Sequence, residues 1–367
     1  MTHRRTTIET PTGNRVVLEP AAEAYAFLGS DVPLQRIAVT EVTLREGELL
    51  VEVELATVCD GDVRTARGDR VVPVPQVLGH EQVGRVVALG PGAPAATYDG
   101  LPLSVGDRIV WGVAVECGEC AHCRDGATAE CLRPQRYGHE RVRRGWELSG
   151  GVATHVHLLP GTVIARARDW IPAAVVAPAS CATATVTAAI EAAERIRPLA
   201  GETVLVSGCG MLGLTAVAMS SQKGARVVAV DRDPQRRALA LDFGAASAHL
   251  PGRAPDGFRI ALELSGAADA VADVIAGAGV GGVIVLAGSA FDAPPMSVPA
   301  ESIVHRRLTI RGVHDYRPEH LLDAVRFLER VDHDLFGQLV GETVPFADAA
   351  AALTRPAARG ARIAVRP

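Results

Sequence analysis

The sequence predicts an α/β protein in which a strand-rich domain is joined to a doubly wound parallel-sheet domain, and three observations carry that prediction. Strand-like runs alternate with helical segments from about residue 182 onward. A glycine-rich stretch, Gly208-Cys209-Gly210-Met211-Leu212-Gly213, stands at the junction of one such strand and the helix after it. Four of the seven cysteines fall within fifteen residues of the strand-rich half.

At 367 residues the chain has room for two domains of ordinary size, each burying its own core. Hydrophobic residues make up 48% and charged residues 22%, the balance of a globular protein and not of a disordered one. The formal net charge of -5 gives no broad positive field, so neither nucleic acid nor an anionic membrane is expected as a partner. The opening MTHRRTTIETPTGNR is basic but lacks the apolar run of a secretory signal. The longest apolar stretches, such as Ile171 to Thr185, are broken by Pro, Ser and Thr, short of the roughly 20 residues a spanning helix needs. A cytoplasmic location follows as the expectation, and there clustered thiols point to metal more than to disulfides.

Taken in order, Val16 to Ala165 reads as short strands such as LLVEVELATV and RVVALG, punctuated by Gly, Pro and Asp turns. Near residue 182 the period changes: ATATVTAAIEAAERI is helical, and TVLVSG, RVVAVD, IALELSG and VIVLAG then alternate with further helical segments. Repeated strand-helix units of this kind build a parallel sheet covered on both faces. HLLDAVRFLERV and the helix-then-strand ending FADAAAALTR to RIAVRP complete the chain.

TVLVSG runs directly into Gly208 and the helix MLGLTAVAMSSQKG, which is the context a dinucleotide-binding Rossmann turn requires. Gly208 permits the tight turn, Gly210 lets a pyrophosphate approach the backbone, and Gly213 allows close packing of helix on strand. Met211 and Leu212 open the helix, whose N-terminus faces the anion. The next strand ends at Asp231, where a carboxylate accepts bonds from ribose hydroxyls and repels a 2′-phosphate, favouring NAD over NADP. Arg236 belongs to the same ribose edge, whereas Arg232 would tolerate the extra phosphate. Cys209 reads as a small packing residue and not as a redox thiol.

Cys117, Cys120, Cys123 and Cys131 in CGECAHCRDGATAEC have the spacing C-x2-C-x2-C-x7-C. Four thiolates can close a tetrahedron around Zn²⁺ and hold a loop with little apolar content; with no open position such a site is structural. An iron-sulfur cluster, disulfides or free thiols are the alternatives, and the crowding of sulfurs in a reducing compartment favours zinc. His122 reads as a surface residue between ligands.

Cys59 in ATVCDGDV, His80 with Glu81 in VLGHEQVGRVVALG, and Cys181 in APASCATATV remain. Together with the cysteine lobe and the nucleotide motif, they resemble the zinc-containing alcohol dehydrogenases of the medium-chain dehydrogenase/reductase superfamily, from about Ala22 to the end. RYGHE, WELSGG, APASCATATV and GMLGL resemble more closely the subgroup associated with phosphonate catabolism. The resemblance implies a GroES-like catalytic domain over 1–182 and 314–367, with a structural-zinc lobe at about 115–133. It places the Rossmann domain at 183–313, with substrate and nicotinamide meeting in the cleft. It implies two zinc ions per chain, with Cys59, His80 and Cys181 on the catalytic one, Glu81 as an alternative ligand and Asp62 orienting His80. Thr185 and the turn Ala287, Gly288, Ser289 would flank the nicotinamide. The implied reaction is reversible hydride transfer between an alcohol and NAD(H), the metal acting as Lewis acid. A homodimer or homotetramer is implied as well.

The chain departs from the family at Gly61, where many relatives carry the Ser or Thr hydroxyl that begins a proton relay, and at Asp60, where relatives have a neutral or basic residue. The two substitutions suggest a larger, more polar pocket for a polar or anionic substrate, against drift at a tolerant position as the plainer reading. Arg64, Trp111, Arg136, Tyr137 and His139 are candidate pocket or channel residues, while His155 and His157, on one face of a strand, read as structural. The rival functions are a polyol or amino-alcohol dehydrogenase, a metal-assisted non-redox enzyme that retains NAD, and an NADH-binding protein without catalysis.

Overall fold

The computed structural model describes residues 4–288, 295, 297–355, 357 and 360–367, and divides them into two compact units. One unit comprises Met1–Cys181 with Leu321–Pro367, and the other Ala182–His320. Ser289 lies outside the described residues.

In the first unit the strand Leu49–Val58 is buried along almost its whole length, the signature of a strand covered on both faces. Leu49, Val51 and Val53 pack with Trp111, Tyr137 and Trp146 on one side, and Leu50 packs with Val16, Leu18 and Val77 on the other. Glu81–Leu89 pairs antiparallel along one edge of this strand. The other edge is shared by His155–Leu158 and by Arg362–Arg366, which returns from the far end of the chain to set Ala364 opposite Thr57. Val340–Pro345 then pairs parallel with Arg362–Arg366, while Arg108–Trp111 and Ile164–Arg166 extend the far side of a seven-stranded sheet. A four-stranded sheet, Arg4–Thr10, Gly13–Phe27 and Gln35–Leu44 with Gln76–Val77, completes the unit.

The second unit is a six-stranded sheet in the spatial order Ser247–His249, Arg226–Val230, Thr203–Ser207, Ile260–Glu263, Val283–Leu286, Thr309–Gly312. Every neighbouring pair is parallel, so the chain order runs third, second, first, fourth, fifth, sixth. The order reverses between Thr203–Ser207 and Ile260–Glu263, the switch point at which such sheets bind ligands beyond their C-terminal strand ends. Helix Met211–Gln222 is apolar on all sides and correspondingly buried. Pro234–Asp242 begins on an Asp233 cap that accepts from the Gln235 N–H, with Pro234 in the first turn. Among the described residues no single helix is long and apolar enough to cross a membrane.

Candidate functional site

Cys59 follows directly on Leu49–Val58 and caps helix Asp60–Arg67 in extended conformation, which turns its side chain out of the sheet. Asp62, 1% exposed, then works backward: its Oδ2 accepts from the Cys59 N–H at 3.0 Å and its Oδ1 from the Gly79 N–H at 3.0 Å. The same Oδ1 lies 3.3 Å from Nδ1 of His80. Gly79 has φ +96° and a Cβ there would sit 2.7 Å from the Val152 nitrogen, so the turn that delivers His80 requires glycine. The Ser180 hydroxyl donates to the His80 carbonyl at 2.9 Å, bringing Cys181 alongside.

The ligand atoms of Cys59, His80 and Cys181 consequently lie within 4.8 Å of one another. Two thiols and an imidazole at that spacing suit a tetrahedral Zn²⁺, with bonds of about 2.3 Å to sulfur and about 2.0 Å to nitrogen and a fourth position open. Contact with Cys181 foremost, and the charges of Arg362 and His80 against the cost of burial, hold the Cys59 thiol well below its ordinary range. Cys181 is pushed well above, first by Cys59 and then by burial. A cationic metal would relieve that competition by favouring both thiolates.

Glu81, fully buried, stands outside that set of three among the described residues. It accepts from the Thr57 hydroxyl at 2.8 Å and from Arg362 Nε at 3.0 Å and Nη2 at 3.3 Å. Burial raises its pKa and Arg362 works against the rise. Arg362 Nη2 also lies 3.5 Å from Cys59 Sγ. Sequence reasoning missed both Thr57 and Arg362; the strand period could have placed Thr57, but nothing local marks an arginine 281 residues from its partner.

Asp60 is 79% exposed with Oδ2 3.7 Å from Arg362 Nη1. Gly61 is buried, and its carbonyl accepts from the Thr65 hydroxyl. His139 packs its ring on His80 with centroids 4.6 Å apart, its carbonyl held by Gln76 Nε2. Arg64 is exposed and Arg136 half-buried. Two pocket candidates are corrected: Trp111 and Tyr137 have no exposure at all and belong to the apolar core, where the Tyr137 hydroxyl meets Thr162 and the Leu159 N–H. His157 is buried on Glu48, and His155 is buried beside Thr154.

In the lobe, Cys117, Cys120, Cys123 and Cys131 also bring their sulfurs within 4.8 Å, and none is in a disulfide. Backbone N–H groups of Leu132 and Cys123 lower Cys120 to about 6, while desolvation and the neighbouring thiols raise Cys123 to about 12. The short helices Ala121–Arg124 and Thr128–Glu130 bury no residue, so the donor set fits an ion that supplies the missing core. His122 hydrogen-bonds the Glu130 carbonyl at 2.6 Å.

In the second unit Gly208 has φ +90°, and a Cβ on Gly213 would sit 1.7 Å from the Gly208 carbonyl oxygen. Gly210 is open, with only an Arg236 nitrogen 4.0 Å from its would-be Cβ, and caps the helix that Met211 and Leu212 begin. That half-buried helix end, lined by close-packed backbone, fits a pyrophosphate. Asp231 is buried, its Oδ2 accepting from Cys209 N–H at 2.7 Å and its Oδ1 from Asp233 N–H at 2.8 Å. Arg232 and Arg236 are exposed; Arg237, unmarked by any motif, donates to the carbonyls of Asp231 and Arg232. Cys209 is fully buried, and burial raises it to about 12. The Ala287 and Gly288 N–H groups both donate to the Glu263 carbonyl at 3.0 Å, and Thr185 is half-buried on helix Ala182–Glu194.

Two family descriptions match the chain: "Alcohol dehydrogenase GroES-like domain" over residues 45–168 and "Zinc-binding dehydrogenase" over residues 212–330. The chain is 29% identical to an L-threonine 3-dehydrogenase of Aeromonas hydrophila over 313 residues, 80% of this chain and 84% of that one. It is 30% identical to the L-threonine 3-dehydrogenase of Coxiella burnetii over 286 residues, 74% and 77% of the two chains. The solved structure of an alcohol dehydrogenase from Thermotoga maritima superposes with TM-score 0.87 at 27% identity, covering 94% of this chain and 99% of that one.

Proposed function

The chain belongs to the zinc-binding alcohol dehydrogenases of the medium-chain dehydrogenase/reductase superfamily, and on that footing we propose that Cys59, His80 and Cys181 hold its catalytic zinc. The reaction class is NAD(H)-dependent oxidoreduction at an alcohol carbon. The observation that carries the site assignment is the convergence of those three donors within 4.8 Å.

Zinc supplies a Lewis acid that polarises the substrate oxygen, and NAD supplies the hydride acceptor. The protein's own residues orient, neutralise and exclude. Asp62 fixes the backbone of Cys59 and of the turn before His80, so the donors stand preorganised. Arg362 pairs with Glu81 and offsets part of the cost of burying a carboxylate beside the donors, and Glu81 would serve as an alternative ligand only on leaving Arg362. Gly61 offers no hydroxyl for a proton relay, and Asp60, 79% exposed, is the nearby acid that could hand a proton to solvent.

The second zinc belongs to Cys117, Cys120, Cys123 and Cys131 and is structural. Asp231 favours NAD over NADP, with Arg232 and Arg236 outside its carboxylate. Asp60 and Gly61, with His139 on the His80 ring, support a polar alcohol, and the stretches that resemble the phosphonate-associated subgroup support an anionic one. A hydroxy amino acid is a second reading, favoured by the threonine dehydrogenase relatives. A cytoplasmic homo-oligomer completes the proposal.

The test is zinc-loaded protein with NAD⁺ and a panel of simple alcohols, polyols, L-threonine and phosphonate-bearing alcohols, followed at the NADH absorbance band. Cys59→Ala is the control. NADH formation that the variant abolishes supports the assignment and names the substrate class. Turnover retained by the variant overturns the role of Cys59, and silence across the panel despite NAD⁺ binding favours non-redox use of the cofactor.

A further inference from the structure

At the switch point two carboxylates flank the strand Thr203–Ser207, one at the end of each neighbour in the sheet. Asp231, on one side, accepts from the N–H two residues ahead of it and from the glycine turn at Cys209. Glu263, on the other, ends Ile260–Glu263 and also accepts from the N–H two residues ahead, Ser265, at 2.8 Å. It accepts as well from the Ser265 hydroxyl and from the Gly266 N–H at 3.2 Å. The difference between them is exposure: Asp231 keeps 8% and Glu263 none.

The turn that Glu263 organises touches the two others at this strand end. A Cβ on Gly208 would meet Ser265 at 2.8 Å. A Cβ on Gly288 would meet the Gly266 nitrogen at 2.4 Å and the Ser265 nitrogen at 2.7 Å. Leu264 N–H donates to the Ser207 carbonyl, while the Glu263 carbonyl takes both Ala287 and Gly288. Three turns from three neighbouring strands therefore interlock with no room for a side chain at Gly208 or Gly288, and Glu263, unlike Asp231, is sealed from any ligand. Burial raises the Glu263 pKa, and its bonds to Ser265 and Gly266 oppose that rise.

In a sheet with this strand order, a dinucleotide lies across the reversal with one mononucleotide half on each side. Asp231 stands on the side that reads the adenosine ribose. We propose that Glu263 is a positioning residue for the nicotinamide half, acting through the 264–266 turn on Gly208 and Gly288 without touching the cofactor. The proposal rests on the reading of this unit as an NAD site.

The test compares NADH binding, by fluorescence, with AMP binding, by calorimetry, in wild type, Glu263→Ala and Glu263→Gln. Wild type binding both ligands establishes the parent reading, and wild type binding neither removes it independently of Glu263. Glu263→Ala should weaken NADH by about tenfold or more and leave AMP within about twofold, whereas Glu263→Gln, which keeps an acceptor oxygen, should stay near wild type. Equal loss of both ligands, or loss of neither, overturns the proposal. Should Glu263→Ala not fold, Glu263→Asp, shorter by one methylene, is expected to give the same split, and its absence there overturns the proposal as well.

Discussion

Asp62 uses its two oxygens to fix two backbone segments and approach a ring, all within one buried carboxylate. Asp62→Asn is expected to lower affinity for the catalytic zinc by about 10- to 100-fold while the lobe keeps its ion, read by competition with a chelator. Arg362→Ala leaves Glu81 buried without its cation, and zinc-loaded protein should lose about 3 to 5 kcal/mol in urea unfolding. The contrast between these residues marks what a sequence discloses. Asp62 lies three positions from Cys59, so local spacing reveals it. Arg362 and Glu263 act through sheet neighbours, and no local pattern encodes which strands will be adjacent. Trp111 and Tyr137 were open to misreading because a polar-tipped aromatic has the same letter in a pocket and in a core.

The short motifs are legible as elements because each is a geometric demand on one turn. Gly213→Ala brings a methyl against the Gly208 carbonyl, 1.7 Å from the built Cβ position, and should cost about 1 to 3 kcal/mol together with most NADH binding, measured by thermal melting and fluorescence titration. The cysteine lobe is the opposite kind of element, with short helices that bury nothing. Cys120→Ser should open residues 117–131 to protease while zinc at Cys59, His80 and Cys181 persists, which limited proteolysis with metal analysis would show. The strand-rich half was legible only as strand-rich. Its pairing order depends on long-range contacts such as Ala364 opposite Thr57, which alternation of residues does not specify.

At the scale of the molecule, the second unit is closed at its two chain ends by one cluster. Glu191, on the first helix of that unit, receives Arg317 at 3.0 Å and the imidazole of His320, its last residue, while the Thr187 hydroxyl donates to the His320 carbonyl. Burial opposes the charge on Glu191, but His320, Arg317 and Arg195 lower its pKa to about 2. A depressed carboxylate contributes stability that is present above its unfolded value, near 4.5, and is lost as pH falls toward about 2. Glu191→Gln should therefore cost about 1 kcal/mol at neutral pH, reduced by solvent screening, with the gap to wild type closing at acid pH in melts run across that window.

The strand Arg362–Arg366 is made by the ribosome after every residue of Ala182–His320. Unit two is one uninterrupted stretch and can condense as soon as it clears the exit tunnel. Glu81, by contrast, waits through 281 further residues for its cation. During that interval the nascent first unit carries an acid without its cation and an edge of Leu49–Val58 without its Arg362–Arg366 partner, so a premature stop just before Arg362 would leave a translation product whose second unit is whole and whose Glu81 stays uncompensated.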